Sequence, residues 1–155
     1  MARGEHLATM QSDGLRFVYP GGEERLTIPA VAGPDDLALT TDDVLVLATK
    51  SQHTADALRV WSTAQVRTGS GPRPAGEVLP VLCAQNGLAN EPAALRWFAR
   101  VAGVCVWLPS GLPEPGTVVA PCAPLTGMLH VGAVPGRVSG RRGGRVRRAA
   151  RRRRS

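Results

Sequence analysis

The sequence predicts an α/β fold, a parallel sheet with an antiparallel β extension. Two continuous apolar runs, 44–48 in "DDVLVLATK" and 78–84 in "VLPVLCA", lack polar alternation and read as strands covered on both faces. Each is followed by helical spacing, first "SQHTADALRVWS" and then "NEPAALRWF". A third apolar run, "VAGVCVWLPS", leads into two β-rich pieces, "GTVVAPC" and "LTGMLHVG". Strand–helix alternation followed by a run of strands is the pattern of a parallel sheet extended by antiparallel strands.

Residues 5–12 have the length of one or two helical turns ahead of Asp13-Gly14. "LRFVYPGGEERLTIPAV" reads as a hairpin, with strands near 15–19 and 25–30 around Pro20-Gly21-Gly22. In the first helix Ala57, Leu58 and Trp61 share a face, and Ser51 or Thr54 is placed to cap its start. Residues 66–77, "VRTGSGPRPAGE", read as a polar connection. Asn90 is placed to cap the second helix, Pro92 fits its first turn, and Ala94, Leu95, Trp97 and Phe98 form its apolar side.

At 155 residues and 43% hydrophobic, the chain is long enough for one domain with a real core. The 18 glycines and 13 prolines imply many turns and short elements. The net charge of +7 is unevenly spread. Ten of the 19 basic residues, all arginine, lie from Arg137 onward, which leaves nine against all 12 acidic residues in 1–136. A mildly acidic body therefore carries a basic tail, and the pI says nothing about nucleic-acid binding by the body. Residues 137–155 hold few apolar side chains and no period, so they are expected to be disordered.

Cys83, Cys105 and Cys122 form no C-x-x-C pair and lie in or beside apolar runs, which suggests buried free thiols in a reducing compartment. His6, His53 and His130 lack metal-ligand spacing, so no metal is expected. No run reaches the roughly 20 apolar residues of a membrane span. The N-terminal stretch has no apolar core of a secretory signal, and the expected location is the cytoplasm.

The second apolar strand stops at Gln85-Asn86-Gly87. In open α/β sheets ligands bind outside the carboxyl ends of the strands, and an Asn-Gly pair there also makes an ordinary turn. Both readings hold at once. "ARGEHLATMQSDGLRF", "DDVLVLATKSQHTADAL", "LPVLCAQNGLANEPAALRWFA" and "GVCVWLPSGLPEPGTVVA", in this order, resemble the NADPH-binding domain of ketopantoate reductases (2-dehydropantoate 2-reductases) over about residues 2–136.

The resemblance implies a Rossmann-like, NADP-binding sheet and an oxidoreductase that transfers hydride from NADPH to a 2-oxo acid, as in pantothenate biosynthesis. It places Arg3 on the 2′-phosphate of NADPH, a task suited to a planar guanidinium. It places Lys50 near the cofactor and Gln85, Asn86 and Gly87 at the nicotinamide, with Asn86 also facing the substrate. Gly87 allows close backbone approach.

The chain also departs from the family pattern. It contains no G-x-G-x-x-G, the loop that cradles a pyrophosphate. The expected sheet is therefore incomplete, lacking the first strand–helix unit, with NADPH binding weakened or lost and sheet edges left open to aggregation. Lys50 is the only lysine, so no residue matches the family's general-acid lysine, no catalytic residue is assigned, and the chain alone is expected to be inactive. The arginine tail suggests a shifted reading frame near Gly136. The competing reading is a non-enzymatic protein that binds nucleic acid or other anions through the tail, non-specifically and in a salt-dependent way.

Overall fold

The computed structural model describes residues 1–134. The expectations for the arginine tail lie outside these residues.

Helix α1 (Gly4–Ser12) precedes a hairpin of β1 (Leu15–Tyr19) and β2 (Gly22–Leu26). The strands pair directly from Tyr19↔Gly22 to Leu15↔Leu26. The second strand thus begins earlier than the expected 25–30, because Pro20-Gly21 alone makes the turn and Gly22 is already in the ladder. Arg16 ties the sheet across its surface, 2.6 Å from Glu23 and 3.5 Å from Glu114. The bond and charge of Arg16 hold the Glu23 carboxyl below its ordinary pKa.

β3 (Leu39–Thr40), β4 (Leu45–Leu47) and α2 (Thr54–Ser62) follow, the last entered through a 3-10 turn at Ser51–His53. Next come β5 (Gln65–Thr68), β6 (Gly71–Pro74), the short helix α3 (Ala75–Val78) and β7 (Pro80–Cys83). The chain continues through α4 (Asn90–Ala94), β8 (Arg100–Trp107), β9 (Gly111–Glu114), β10 (Thr117–Val119) and β11 (Met128–Ala133). The stretch 66–77, expected as a plain connection, is instead a hairpin followed by a helical turn. Val66 is its one strand residue sealed into the core, at 0% exposure.

Three sheets result among the described residues. The central one has the order β11-β8-β7-β4, with β4, β7 and β8 parallel and β11 antiparallel to β8. This is the predicted parallel sheet with its antiparallel extension. A second sheet, β2-β1-β10-β9, joins the hairpin to the later β-rich segment, and a small third one is β3-β5-β6.

The core lies on one face of the central sheet. Leu47, Val81 and Cys83 pack there with Ala57 and Leu58 of α2, Ala75 of α3, Ala94 of α4, and Leu79 and Phe98. Leu58 and Leu79 are almost fully enclosed, and each such side chain contributes about 1.5–3 kcal/mol. The opposite face differs from expectation. Val44 and Val46 are 51% and 60% exposed, because no described element packs over that face of β4. Trp97, expected on the buried side of α4, is 41% exposed, since the helix ends at Ala94 and Phe98 turns inward instead.

Gly76 sits where α3 meets the start of β8. A Cβ there would clash with the Trp97 carbonyl oxygen and lie 3.2 Å from the Ser62 Cβ. Gly76→Ala is therefore expected to cost about 1–3 kcal/mol, read as a lower midpoint in urea denaturation. An unchanged midpoint would show that the junction yields freely.

No helix among the described residues is long and apolar enough to cross a membrane.

Candidate functional site

The carboxyl ends of β4 and β7 lie side by side. The Ala84 amide donates to the Leu47 carbonyl at 2.9 Å and extends the pairing past Cys83. Gln85 then reaches back: its Nε2 donates to the Thr49 carbonyl at 2.6 Å and to Thr54 Oγ1 at 2.8 Å. The Thr54 hydroxyl donates in turn to Asn90 Oδ1 at 3.1 Å, and Asn90 Nδ2 donates to Ser51 Oγ at 3.2 Å. Thr54 and Asn90 are buried, so the bond at the centre of this relay is shielded from water. It joins the segment after β4 to the segment after β7.

The relay corrects three capping expectations. Asn90 is the first residue of α4 rather than its cap, and neither Ser51 nor Thr54 caps α2. All three side chains are committed to one another instead.

The relay also fixes the Gln85 amide. A carbonyl such as Thr49 only accepts, so Nε2 must face it and Oε1 must face away. Oε1 is buried and has no hydrogen-bond partner among the described residues. Beyond Gln85 the chain emerges: Asn86 and Gly87 are exposed and Leu88 is 85% exposed. Gly87 has φ +85°, a left-handed conformation that strains any other residue, and open space where a Cβ would stand.

Gln85, Asn86 and Gly87 line a cleft of about 730 Å³, together with Glu91 from α4, Cys105 from β8 and His130 from β11. Cys105 and His130 are register partners across β8 and β11. Beneath the cleft, burial pushes the Cys83 thiol up to about 11, with the Glu91 charge adding to the effect. Cys83 is therefore a protonated core residue at neutral pH, with little thiolate to act as a nucleophile or metal ligand. The expectation of three buried thiols holds only for Cys83, since Cys105 is exposed and Cys122 half-buried. Among the described residues no group of three or more His, Cys, Asp or Glu side chains is placed to hold a metal ion.

Lys50 is exposed at the end of β4, immediately before the 3-10 turn and next to Thr49, the partner of Gln85. The structure thus brings Lys50, Gln85, Asn86 and Gly87 to one end of the central sheet. Arg3 is elsewhere, exposed at the start of α1, and does not line the cleft that holds Asn86. Met1, two residues before it, lines a separate apolar groove of about 430 Å³ along β4, with Leu45, Leu47, Leu58, Trp61 and Phe98. Sequence reasoning overlooked Glu91. An acid in the first turn of a helix is ordinarily a solvated residue that favours the helix dipole, so nothing in its type or position set it apart.

Residues 1–135 match the family model described as ketopantoate reductase PanE/ApbA. The chain belongs to this family. It is 38% identical over 88 residues to a 2-dehydropantoate 2-reductase of Halobacterium salinarum, a match that covers 57% of this chain and 25% of the relative. The chain thus spans about a quarter of the length of that curated ketopantoate reductase.

Solved ketopantoate reductases share the fold. The PanE/ApbA family member of Ralstonia eutropha JMP134 superposes with a TM-score of 0.63 at 23% identity, over 76% of this chain and 36% of that one. The 2-dehydropantoate 2-reductase of Porphyromonas gingivalis W83 gives 0.67 at 18% identity, over 88% and 44%. A D-mandelate dehydrogenase with NADH and anilino(oxo)acetate gives 0.60 at 20% identity, over 74% and 34%. These neighbours support a Rossmann-like α/β architecture for the described residues.

Proposed function

We propose that the cleft beside Asn86 receives the nicotinamide end of NADPH and a small 2-oxo acid, and that the chain serves an NADPH-dependent 2-oxoacid reductase. The observation that carries this reading is the exposed Asn86-Gly87 pair at the cleft mouth, held in place by the relay that joins the ends of β4 and β7. The residues at this end of the sheet fit the nicotinamide end of such a ligand, although the sequence holds no G-x-G-x-x-G for its pyrophosphate. Asn86 offers one amide donor and one acceptor to a polar group, Gly87 leaves the backbone open to close approach, and Lys50 supplies a cation at the adjacent strand end.

When bound, the dinucleotide supplies the hydride. In this reading the chain's own residues orient the partners. Asn86 holds the acid's carboxylate or keto oxygen, and Lys50 draws a phosphate or ribose oxygen. Gln85 acts through the Thr54–Asn90 relay to keep the two strand ends in register. Arg3 meets the 2′-phosphate by the family resemblance, outside the cleft itself. Lys50 is the sole lysine of the sequence, so we assign no general acid, and turnover by this chain alone is expected to fall short of a complete reductase by about 10²–10⁴-fold.

Binding is the sharper test. Titration of the chain with NADPH and NADH should show tighter NADPH binding, and Arg3→Ala should reduce that preference by roughly ten- to a hundredfold, the worth of one charge-assisted contact. Asn86→Ala should leave the preference intact and weaken the 2-oxo acid instead. Equal binding of both dinucleotides by the unaltered chain would sink the 2′-phosphate assignment.

A further inference from the structure

Strand β4 forms an open edge of the central sheet. The Leu47 carbonyl accepts the Ala84 amide, so the backbone groups of Leu47, and of Leu45 two residues earlier, face β7. Those of Val44, Val46 and Ala48 alternate with them and face outward, where no described strand pairs with them. The side chains alternate too. Leu45 and Leu47 turn toward the core, whereas Asp42, Val44, Val46, Ala48 and Lys50 are exposed. The apolar groove of about 430 Å³ runs along this same strand.

Native proteins blunt such edges with charge or proline. Three other edges among the described residues follow that rule: β2 carries Glu23 and Glu24, β6 carries Pro72 and Pro74, and β9 carries Pro113 and Glu114. Between Val44 and Thr49 the β4 edge has neither device, and its pairing with β7 runs without a bulge. The edge at β11 is equally bare, but residues 123–134 hold no Asp, Glu, Lys or Arg that could set a register.

The flanks of β4 do carry charge. Asp42 precedes the bare run and Lys50 follows it, with Val46 midway between them. Neither takes part in an ion pair among the described residues. An antiparallel copy of β4 related by a two-fold axis at Val46 sets Val46 opposite Val46, Val44 opposite Ala48, and Asp42 opposite Lys50 at both ends. The same register joins the outward backbone groups of Val44, Val46 and Ala48 as hydrogen-bonded pairs. A parallel copy would set like charges side by side, and a slip of two residues would leave Lys50 beside Val44.

We infer that a second copy of this chain docks on the β4 edge, antiparallel about Val46, so that two four-stranded sheets become one of eight strands. The contact is isologous, closes at two copies and leaves no free β4 edge. It goes beyond the reductase reading and does not rest on it, since it uses the side of the sheet rather than the cleft. Lys50 belongs to both readings, so the test is made without nucleotide.

Sedimentation equilibrium of the full chain reads the dimerisation constant. A reversible monomer–dimer equilibrium is expected, weakened by added salt as the exposed charge pairs are screened. Asp42→Lys and Lys50→Asp each set like charges opposite one another at both ends, and each is expected to weaken dimerisation by roughly five- to fiftyfold. Both positions are exposed, so far-UV circular dichroism should show each variant folded as before. An equimolar mixture of the two variants restores both opposite-charge pairs and should dimerise as tightly as the unaltered chain. The chain carrying both changes should do the same. Each single variant keeps a net positive charge, so rescue by mixing reports the register rather than general attraction. A chain that stays monomeric at its highest soluble concentration overturns the inference and leaves the edge to another occupant. Open-ended aggregation, or a dimer indifferent to the two variants and their mixture, overturns it as well.

Discussion

Phe98→Ala is expected to lower the stability of the chain by about 3–5 kcal/mol. Phe98 is 2% exposed, and it is the aromatic member of a buried cluster otherwise made of small and aliphatic residues from β3, β4, α2, α3, β5, β7 and α4. No aliphatic neighbour is large enough to fill the space its ring vacates. Since domains of this kind are held by roughly 5–15 kcal/mol in total, the variant should unfold at a much lower urea concentration and be partly unfolded at 37 °C. Phe98→Leu keeps most of the volume and should cost less than about 1.5 kcal/mol. If the two variants were equally stable, the cavity would have collapsed and the cluster would not depend on the ring.

Asn90→Ala is expected to cost about 2–4 kcal/mol, and to do so through the site rather than the core. The change removes the acceptor for the Thr54 hydroxyl and the donor to Ser51 in one step, and leaves the buried Thr54 O–H without its acceptor while its oxygen still accepts from Gln85. Thr54→Val breaks the same relay from the other side. The double variant should therefore cost clearly less than the two single costs together, since either change alone already severs the link. Additivity to within about 0.5 kcal/mol would show that the two residues act independently. The ends of β4 and β7 should loosen in either variant, so dinucleotide binding should weaken along with stability.

The contrast between these sites explains what the sequence made legible. The strands β4, β7 and β8 stood out because apolar runs must be buried somewhere, and their parallel arrangement followed from the helical spacing between them. The β5–β6 hairpin was hidden because only Val66 of its strands is sealed into the core, and because Pro72 and Pro74 argue against a strand. They are tolerated because β6 is an edge strand, where a missing amide breaks no ladder. The exposure of Val44 and Val46 was equally hidden, since a run of valine and leucine says that burial is favourable but not what covers each face.

In the cleft, Asn86 and Gly87 were conspicuous because they interrupt an apolar strand. The Thr54–Asn90 bond spans residues 36 apart in sequence and leaves no local trace. Glu91 resembled any helix-start acid until its buried Oε2 was seen to have no partner among the described residues.

The pairing of β1 with β10 sets an order of assembly. Arg16 lies beside Thr117, with about a hundred residues of chain between them. At a synthesis rate of about 5–20 residues per second, β1 leaves the ribosome roughly 5–20 s before its parallel neighbour exists. During that interval the β1–β2 hairpin has one edge with nothing to pair with, whereas β4, β7 and β8 follow one another over a shorter span and can join while the rest is still being made. The parallel strands β4, β7 and β8 are thus able to pair first, whereas β11, which completes the central sheet and brings His130 to the cleft, follows β10, so β1 can be seated before the cleft is complete.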